Sequence, residues 1–379
     1  MAYFNNAATT YPKSEEVLDK ALDLYKNHAT NIGRNIASVS GDNIMDKTRK
    51  SVKKLFGVDD SYMVVFQPSA THAINVILQG LDFAKIKSVY ISPFEHNAVT
   101  RVLHALGKRH KFDVVELEFC TESLTYNVSS IKQQFSKQKP DIIIVSHASN
   151  VFGILAPVKD IFELAKRYGS ITIADMAQTA GLVDTNLMDC NIDCAVFAGH
   201  KTLYAMSGVG GFVIKRTVKL EPVLFGGTGV DSLKQDMPVD GELRYEIGSQ
   251  NILAIASLYY AVEFLLKEGI SNIAKNEEKM YNKLVQVLES YKNIKIVGRS
   301  NSSVGIVSCL FKGLAPDEVE KILHKEGIEV RSGLQCSPNA HKTMGTFPAG
   351  TVRFSVGRYT TDKDLSVLQE ALDYIEENT

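Results

Sequence analysis

Five short apolar runs punctuate the first two thirds of this chain, and each stops at a turn or a polar residue. They are Met63 to Phe66, Val89-Tyr90-Ile91, Ile142-Ile143-Ile144-Val145, Ile171-Thr172-Ile173-Ala174 and Val196-Phe197-Ala198. Helix-length stretches separate the earlier runs: Ala70 to Gly80 follows the first, one running to Gly107 follows the second, and another begins after Pro157. Continuous apolar runs of strand length alternating with helices predict an α/β domain whose sheet is mainly parallel, with right-handed crossovers. Ligands bind such sheets beyond the carboxyl ends of the strands. Thr71, His96, Asn150, Asp175, Gln178, His200 and Lys201 all follow predicted strands, so the topology would gather them along one edge.

Lys201 and Asp175 give that edge a chemical character. A lysine at a strand end among apolar neighbours is desolvated, and its amine is then suited to imine formation with a carbonyl. An acid ending a neighbouring run suits the protonated nitrogen of a pyridine ring, and together the two point to pyridoxal phosphate. The turn Gln67-Pro68-Ser69 leading into Ala70-Thr71 presents free backbone N–H groups and a hydroxyl, as a phosphate requires. An ordinary helix cap by Ser69 explains that segment equally well. His96 is placed to stack on an aromatic cofactor and exchange protons with substrate. Ser207-Gly208-Val209-Gly210-Gly211 enters a strand rather than a helix, the wrong order for a dinucleotide fingerprint.

The chain has 379 residues, 45% of them hydrophobic, enough for two packed units. We place a large unit at 13–255 and a smaller α+β unit at 256–379, joined by the N-terminal residues 1–12, with the polar connection from Gly226 to Gly241 preceding the boundary. In the smaller unit Cys336 lies on a polar, flexible loop near Arg331, and Arg353 on a probable strand. A thiol and a guanidinium fork suit an amino-acid substrate. A formal charge of −1 argues against nucleic acid or an anionic membrane as partner. Without a basic, apolar leader or a bilayer-length run, the expected location is cytoplasmic. The five cysteines suggest reduced thiols rather than a disulfide framework, and the Cys190/Cys194 pair alone does not make a metal site. The lysine-rich helix Asp46 to Phe56 reads as a solvated face.

With these motifs in place, the sequence resembles the class V aminotransferase family, within it the cysteine desulfurase and selenocysteine lyase group, almost end to end. The matching segments are Asn6-Ala7-Ala8-Thr9, Ala70-Thr71, Glu95-His96, Ser149-Asn150-Val151-Phe152-Gly153, Asp175-Met176-Ala177-Gln178, Gly199-His200-Lys201, Arg331 to Cys336, and Val352-Arg353-Phe354-Ser355. The resemblance implies a fold-type I, pyridoxal-phosphate-dependent homodimer. Lys201 would hold the cofactor covalently and move the substrate Cα proton, while Asp175 would keep the ring nitrogen protonated and His96 would stack on the ring. Asn150 and Gln178 would approach the ring oxygen or substrate. Ala70, Thr71, His200 and, across the dimer interface, Ser249 would serve the phosphate. Arg353 would grip the carboxylate of cysteine or selenocysteine, and Cys336 would take the sulfur as a persulfide, releasing alanine and passing sulfur to an acceptor protein. Related lyases or transaminases that lack thiol chemistry, and a weakened sulfur carrier, are the alternatives. Ala37, Ala198, Gln335 and Thr360 replace residues common in the family, and the sequence offers no obvious imidazole near Gln335.

Overall fold

A computed structural model describes residues 1–27, 43–230 and 233–378; the Asn31 to Asn35 loop and Ala37 lie outside them. Seven strands form one sheet in the order Tyr62–Gln67, Gly210–Lys215, Cys194–Ala198, Ile171–Asp175, Ile142–Ser146, Ser88–Ile91, Asp113–Glu116. Gly210–Lys215 is antiparallel to both neighbours, and the other pairs are parallel. Helices cover both faces, which is why the inner strands read as unbroken apolar runs rather than as alternation. Ile142 and Ile144 belong to one core with Val99, Leu103 and Leu106, whereas Ile143 and Val145 belong to another with Phe135 and Phe162. Each such side chain removed from water contributes about 1.5–3 kcal/mol.

Two features of this sheet were not anticipated. Asp113–Glu116 is a largely exposed edge strand, and its flanking acids hide it from an apolar-run reading. The antiparallel Gly210–Lys215 strand is inserted between Tyr62–Gln67 and the strand leading to Lys201. Glycine makes the insertion sterically feasible: a Cβ on Gly211 would lie 2.2 Å from the Val65 carbonyl oxygen.

A second core surrounds the antiparallel strands Ile294–Val297, Ile306–Phe311 and Val352–Ser355. Ala2–Tyr3 pairs in parallel with Ile328–Glu329, and Ala2 and Phe4 pack in this same core. The helix Ile252–Glu268 instead buries Ile255, Leu258, Val262 and Leu265 in the larger core. The sequence boundary at 255/256 falls inside that helix. We propose that the chain divides along these two cores, which keeps the helix whole with the larger unit. No helix among the described residues is long and apolar enough to cross a membrane.

Candidate active site

Register explains the convergence at the sheet edge. Asp175 pairs with Val196 on one side and with Ser146 on the other, so the Asp175 strand stops just short of the Gly199-His200-Lys201 turn. Ala205 N–H closes that turn onto the Gly199 carbonyl (2.8 Å), and Tyr204 N–H onto that of Lys201 (2.8 Å). Beyond the strand ends lies a cavity of about 320 Å³ lined by Thr71, His96, Asp175, Gln178, His200 and Lys201. Ala70, Asn150, Cys336 and Arg353 complete it, so every expected site residue except Ser249 shares one space.

Burial lowers the pKa of Lys201, against the opposing pull of Asp175. The net shift is towards the neutral, nucleophilic form. Asp175 Oδ1 accepts from Ala177 N–H (3.0 Å), which fixes the carboxylate at the cavity wall. His96 caps the helix Asn97–Gly107, its Nδ1 accepting from Ala98 N–H at 3.0 Å. That bond requires an unprotonated Nδ1, so the neutral ring carries its hydrogen on Nε2. Burial and the Lys201 charge lower the His96 pKa in the same direction. Behind His96, Glu95 is wholly buried and pushed up to about 8 by desolvation, though it accepts from Ser92 Oγ (2.5 Å), Ser146 N–H (2.6 Å) and Ser146 Oγ (3.0 Å).

At the other end of the cavity the helix Ala70–Gly80 begins. Ser69 caps it, accepting from His72 N–H at 3.2 Å, while Ala70 and Thr71 line the cavity. Gly210 lets this turn close in, because a Cβ there would stand 3.0 Å from Ala70 N. His200 is held near pH 4 by burial, and its buried Nδ1 has no partner among the described residues. Ala198 lines the same end without a hydroxyl.

The substrate side is built from both units. Arg353 is buried; its Nη1 donates to Asn150 O (2.7 Å) and its Nη2 to Asn5 Oδ1 (3.1 Å), while Nε has no partner among the described residues. Desolvation pushes its pKa down to about 10. The Gln178 amide donates to Ala7 O (2.9 Å). Asn150 anchors the cysteine loop: its Nδ2 donates to Gln335 O (2.8 Å) and its Oδ1 accepts from Ser337 Oγ (2.6 Å). The loop expected to be flexible is therefore tethered, with residues 331–333 also paired to 351–353 and Cys336 O accepting from Asn97 N–H (2.8 Å). An imidazole does stand beside Gln335, that of His341, at 2.9 Å. Sequence reasoning missed it because the two lie on different elements. Thr360 serves a local turn, its Oγ1 accepting from Gly357 N–H (3.0 Å). Ser249 lines a separate cavity of about 360 Å³ with Gln67, His72 and Glu246.

The residues fit a pyridoxal group: a desolvated amine, a fixed carboxylate, a neutral imidazole and an orphaned His200 nitrogen beside a helix start surround a space of suitable size. A doubly covered sheet with a buried lysine at a strand end defines the fold-type I class. The model for the class-V aminotransferases matches residues 2–368, and the chain belongs to that family. A probable cysteine desulfurase of Methanothermobacter thermautotrophicus is 29% identical over 98% of this chain and 94% of that protein. One of Chlamydia muridarum is likewise 29% identical over 98% and 94%. An apo cysteine desulfurase structure from Thermococcus onnurineus superimposes with a TM-score of 0.90 over 100% of this chain and 95% of the other, at 24% identity. A cysteine desulfurase structure from Escherichia coli does so at 0.85, over 99% and 94%, at 22% identity. These structural likenesses establish the fold.

Proposed function

We propose that this chain is a pyridoxal-phosphate-dependent cysteine desulfurase, converting L-cysteine to L-alanine and retaining the sulfur on Cys336. The observation that carries this reading is the presence of Cys336 and Arg353 in the same cavity as Lys201, Asp175 and His96. A transaminase needs the last three and has no use for the thiol.

In this reading Lys201 would hold the cofactor, Asp175 would serve its ring nitrogen and His96 its ring, with Asn150 and Gln178 near the ring oxygen or the substrate. Ala70, Thr71 and His200 would serve the phosphate. When bound, the group withdraws electrons from the substrate Cα. Arg353 orients the substrate carboxylate, since its guanidinium lines the cavity. Lys201 takes the Cα proton, and burial shifts its amine towards the unprotonated form that can accept one. The Cys336 thiolate then attacks the substrate sulfur; an S–S bond forms, the C–S bond breaks, and its electron pair remains with the substrate. Protonation at that carbon yields a methyl group, and return of the proton from Lys201 to Cα completes alanine, with a persulfide on Cys336.

A homodimer belongs to the same proposal, with Ser249 serving the neighbouring subunit's phosphate. Phe225, Leu233 and Val239 are 72, 100 and 91% exposed in the connection that leads to Ser249, apolar surface that a partner would cover. A fully active monomer in light scattering at assay concentration would exclude the dimer. A sulfur-acceptor protein would relieve Cys336 of its persulfide.

Incubation with L-cysteine should yield alanine and sulfide, and mass spectrometry should find one extra sulfur on Cys336. Borohydride reduction should leave a pyridoxyl adduct on Lys201. Undiminished sulfide release by Cys336→Ala, or persulfide on another cysteine, would overturn the assignment.

A further inference from the structure

Gln335 and Cys336 are consecutive non-glycine residues with positive φ, +39° and +60°. Such residues leave the left-handed region unless their surroundings hold them there. Backbone and Asn150 contacts hold the main chain of this turn, whereas the Gln335 side chain is held at both ends of its amide. Its Nε2 donates to Thr351 O (2.9 Å) and Arg331 O (3.2 Å), which turns Oε1 towards His341 Nε2 at 2.9 Å. An amide oxygen only accepts, so Nε2 of His341 carries the hydrogen, and Nδ1 accepts from Thr346 Oγ1 at 2.7 Å. The ring is completely buried, packed edge-on against Phe152 with ring centroids 5.7 Å apart, and Gln335 is 8% exposed. Loss of the imidazole would leave a buried amide oxygen without a donor.

We infer that His341 is a positioning residue for the nucleophile: acting through Gln335, it latches the left-handed turn that presents Cys336 to the cavity. This rests on the reading of Cys336 as sulfur carrier. It makes the thiol part of a preformed turn, so that sulfur transfer does not wait for a loop to order.

The test uses the holoenzyme with His341→Leu, His341→Gln and Gln335→Met. Iodoacetamide labels the thiols, and peptide mass spectrometry gives the rate at each cysteine, with half-buried Cys120 and Cys190 and buried Cys194 and Cys309 as internal references. Cys336 is the exposed thiol of the five, so it labels in the native turn; His341→Leu should shift its labelling rate about fivefold or more, because the freed turn no longer holds the sulfur in one setting, and leave the other four unchanged. Its kcat for cysteine should fall about ten- to a hundredfold with KM within about twofold, as expected for a displaced reacting atom. His341→Gln keeps an N–H donor and should restore most of both. Gln335→Met breaks the same contact from the other side and must reproduce the signature, even where His341→Leu fails to fold. The double variant should be no worse than either single one. Unchanged Cys336 labelling in both His341→Leu and Gln335→Met, a general rise at all five thiols, or a His341→Gln as impaired as the leucine variant would overturn the inference. Labelling is read without turnover, so an enzyme that makes no alanine from cysteine would refute the sulfur-transfer reading and leave the latch to be judged on labelling alone.

Discussion

Arg353 spends two of its nitrogens inside the protein, on Asn150 O and Asn5 Oδ1, which leaves Nε as its buried donor without a partner among the described residues. A lysine has the charge but not the fork, and cannot hold both loops while reaching a carboxylate. Arg353→Lys should therefore raise KM for cysteine about ten- to a hundredfold, the equivalent of one or two charge-assisted hydrogen bonds, with the cofactor absorbance retained. Steady-state kinetics checks this, and an unaltered KM would show that the substrate carboxylate binds elsewhere. The placement of single residues at the cavity was legible in the sequence wherever a strand end announced it, as at Asp175 and Lys201. Asn150 was legible as a site residue but not as the anchor of the cysteine loop, because its partners Gln335 and Ser337 lie 185 and 187 positions away.

Strand order governs what an element tolerates, and strand order is not a local property of sequence. Gly210-Gly211 sits between two strands that the chain makes far apart in sequence, and the Cβ that Gly211 lacks would stand 2.2 Å from Val65 O. Gly211→Ala should cost about 3 kcal/mol, the upper end for overpacking, because a backbone carbonyl in a central sheet cannot retreat as a side-chain tip can. Gly107 ends the helix Asn97–Gly107, and among the described residues no atom lies within 4 Å of its absent Cβ. Gly107→Ala should be stabilising by about 0.5–1 kcal/mol. Urea unfolding of the two variants decides the matter: equal midpoints would mean that neither the contact nor helix propensity governs these sites. The inner parallel strands could be read directly, since burial on both faces leaves an unbroken apolar run. Asp113–Glu116 could not, because one edge is free and its exposed positions carry charge.

Between the two cores lies a group that neither sequence pattern nor proposed chemistry demands. Glu277, from the helix Ile270–Glu289, is 7% exposed beside a small cavity shared with Asn6, Gln178 and Tyr204. Desolvation pushes its pKa from 4.5 up to about 8, although the Gly305 N–H favours the anion. The folded chain thus binds a proton here that the unfolded chain has released between about pH 4.5 and 8. The stability this group contributes is full below 4.5 and is lost as pH rises through 8. Glu95, raised to about 8, acts in the same sense. His147, His200 and His341, lowered by burial from 6.5 to about 4, act oppositely, and their contribution is lost as pH falls from 6.5 towards 4. The two sets offset each other in mild acid, so the net loss should appear between about pH 6.5 and 8, where the histidines are neutral in both states. Each carboxyl contributes a slope of about 1.4 kcal/mol per pH unit there. Glu277→Gln keeps an acceptor for Gly305 and removes the proton. Its unfolding free energy should fall less steeply than that of the wild type across this window, by about that single slope. Urea titrations of both proteins at half-unit intervals measure the difference, and parallel curves would mean that Glu277 is ionised in the folded chain and that the junction holds a buried charge instead.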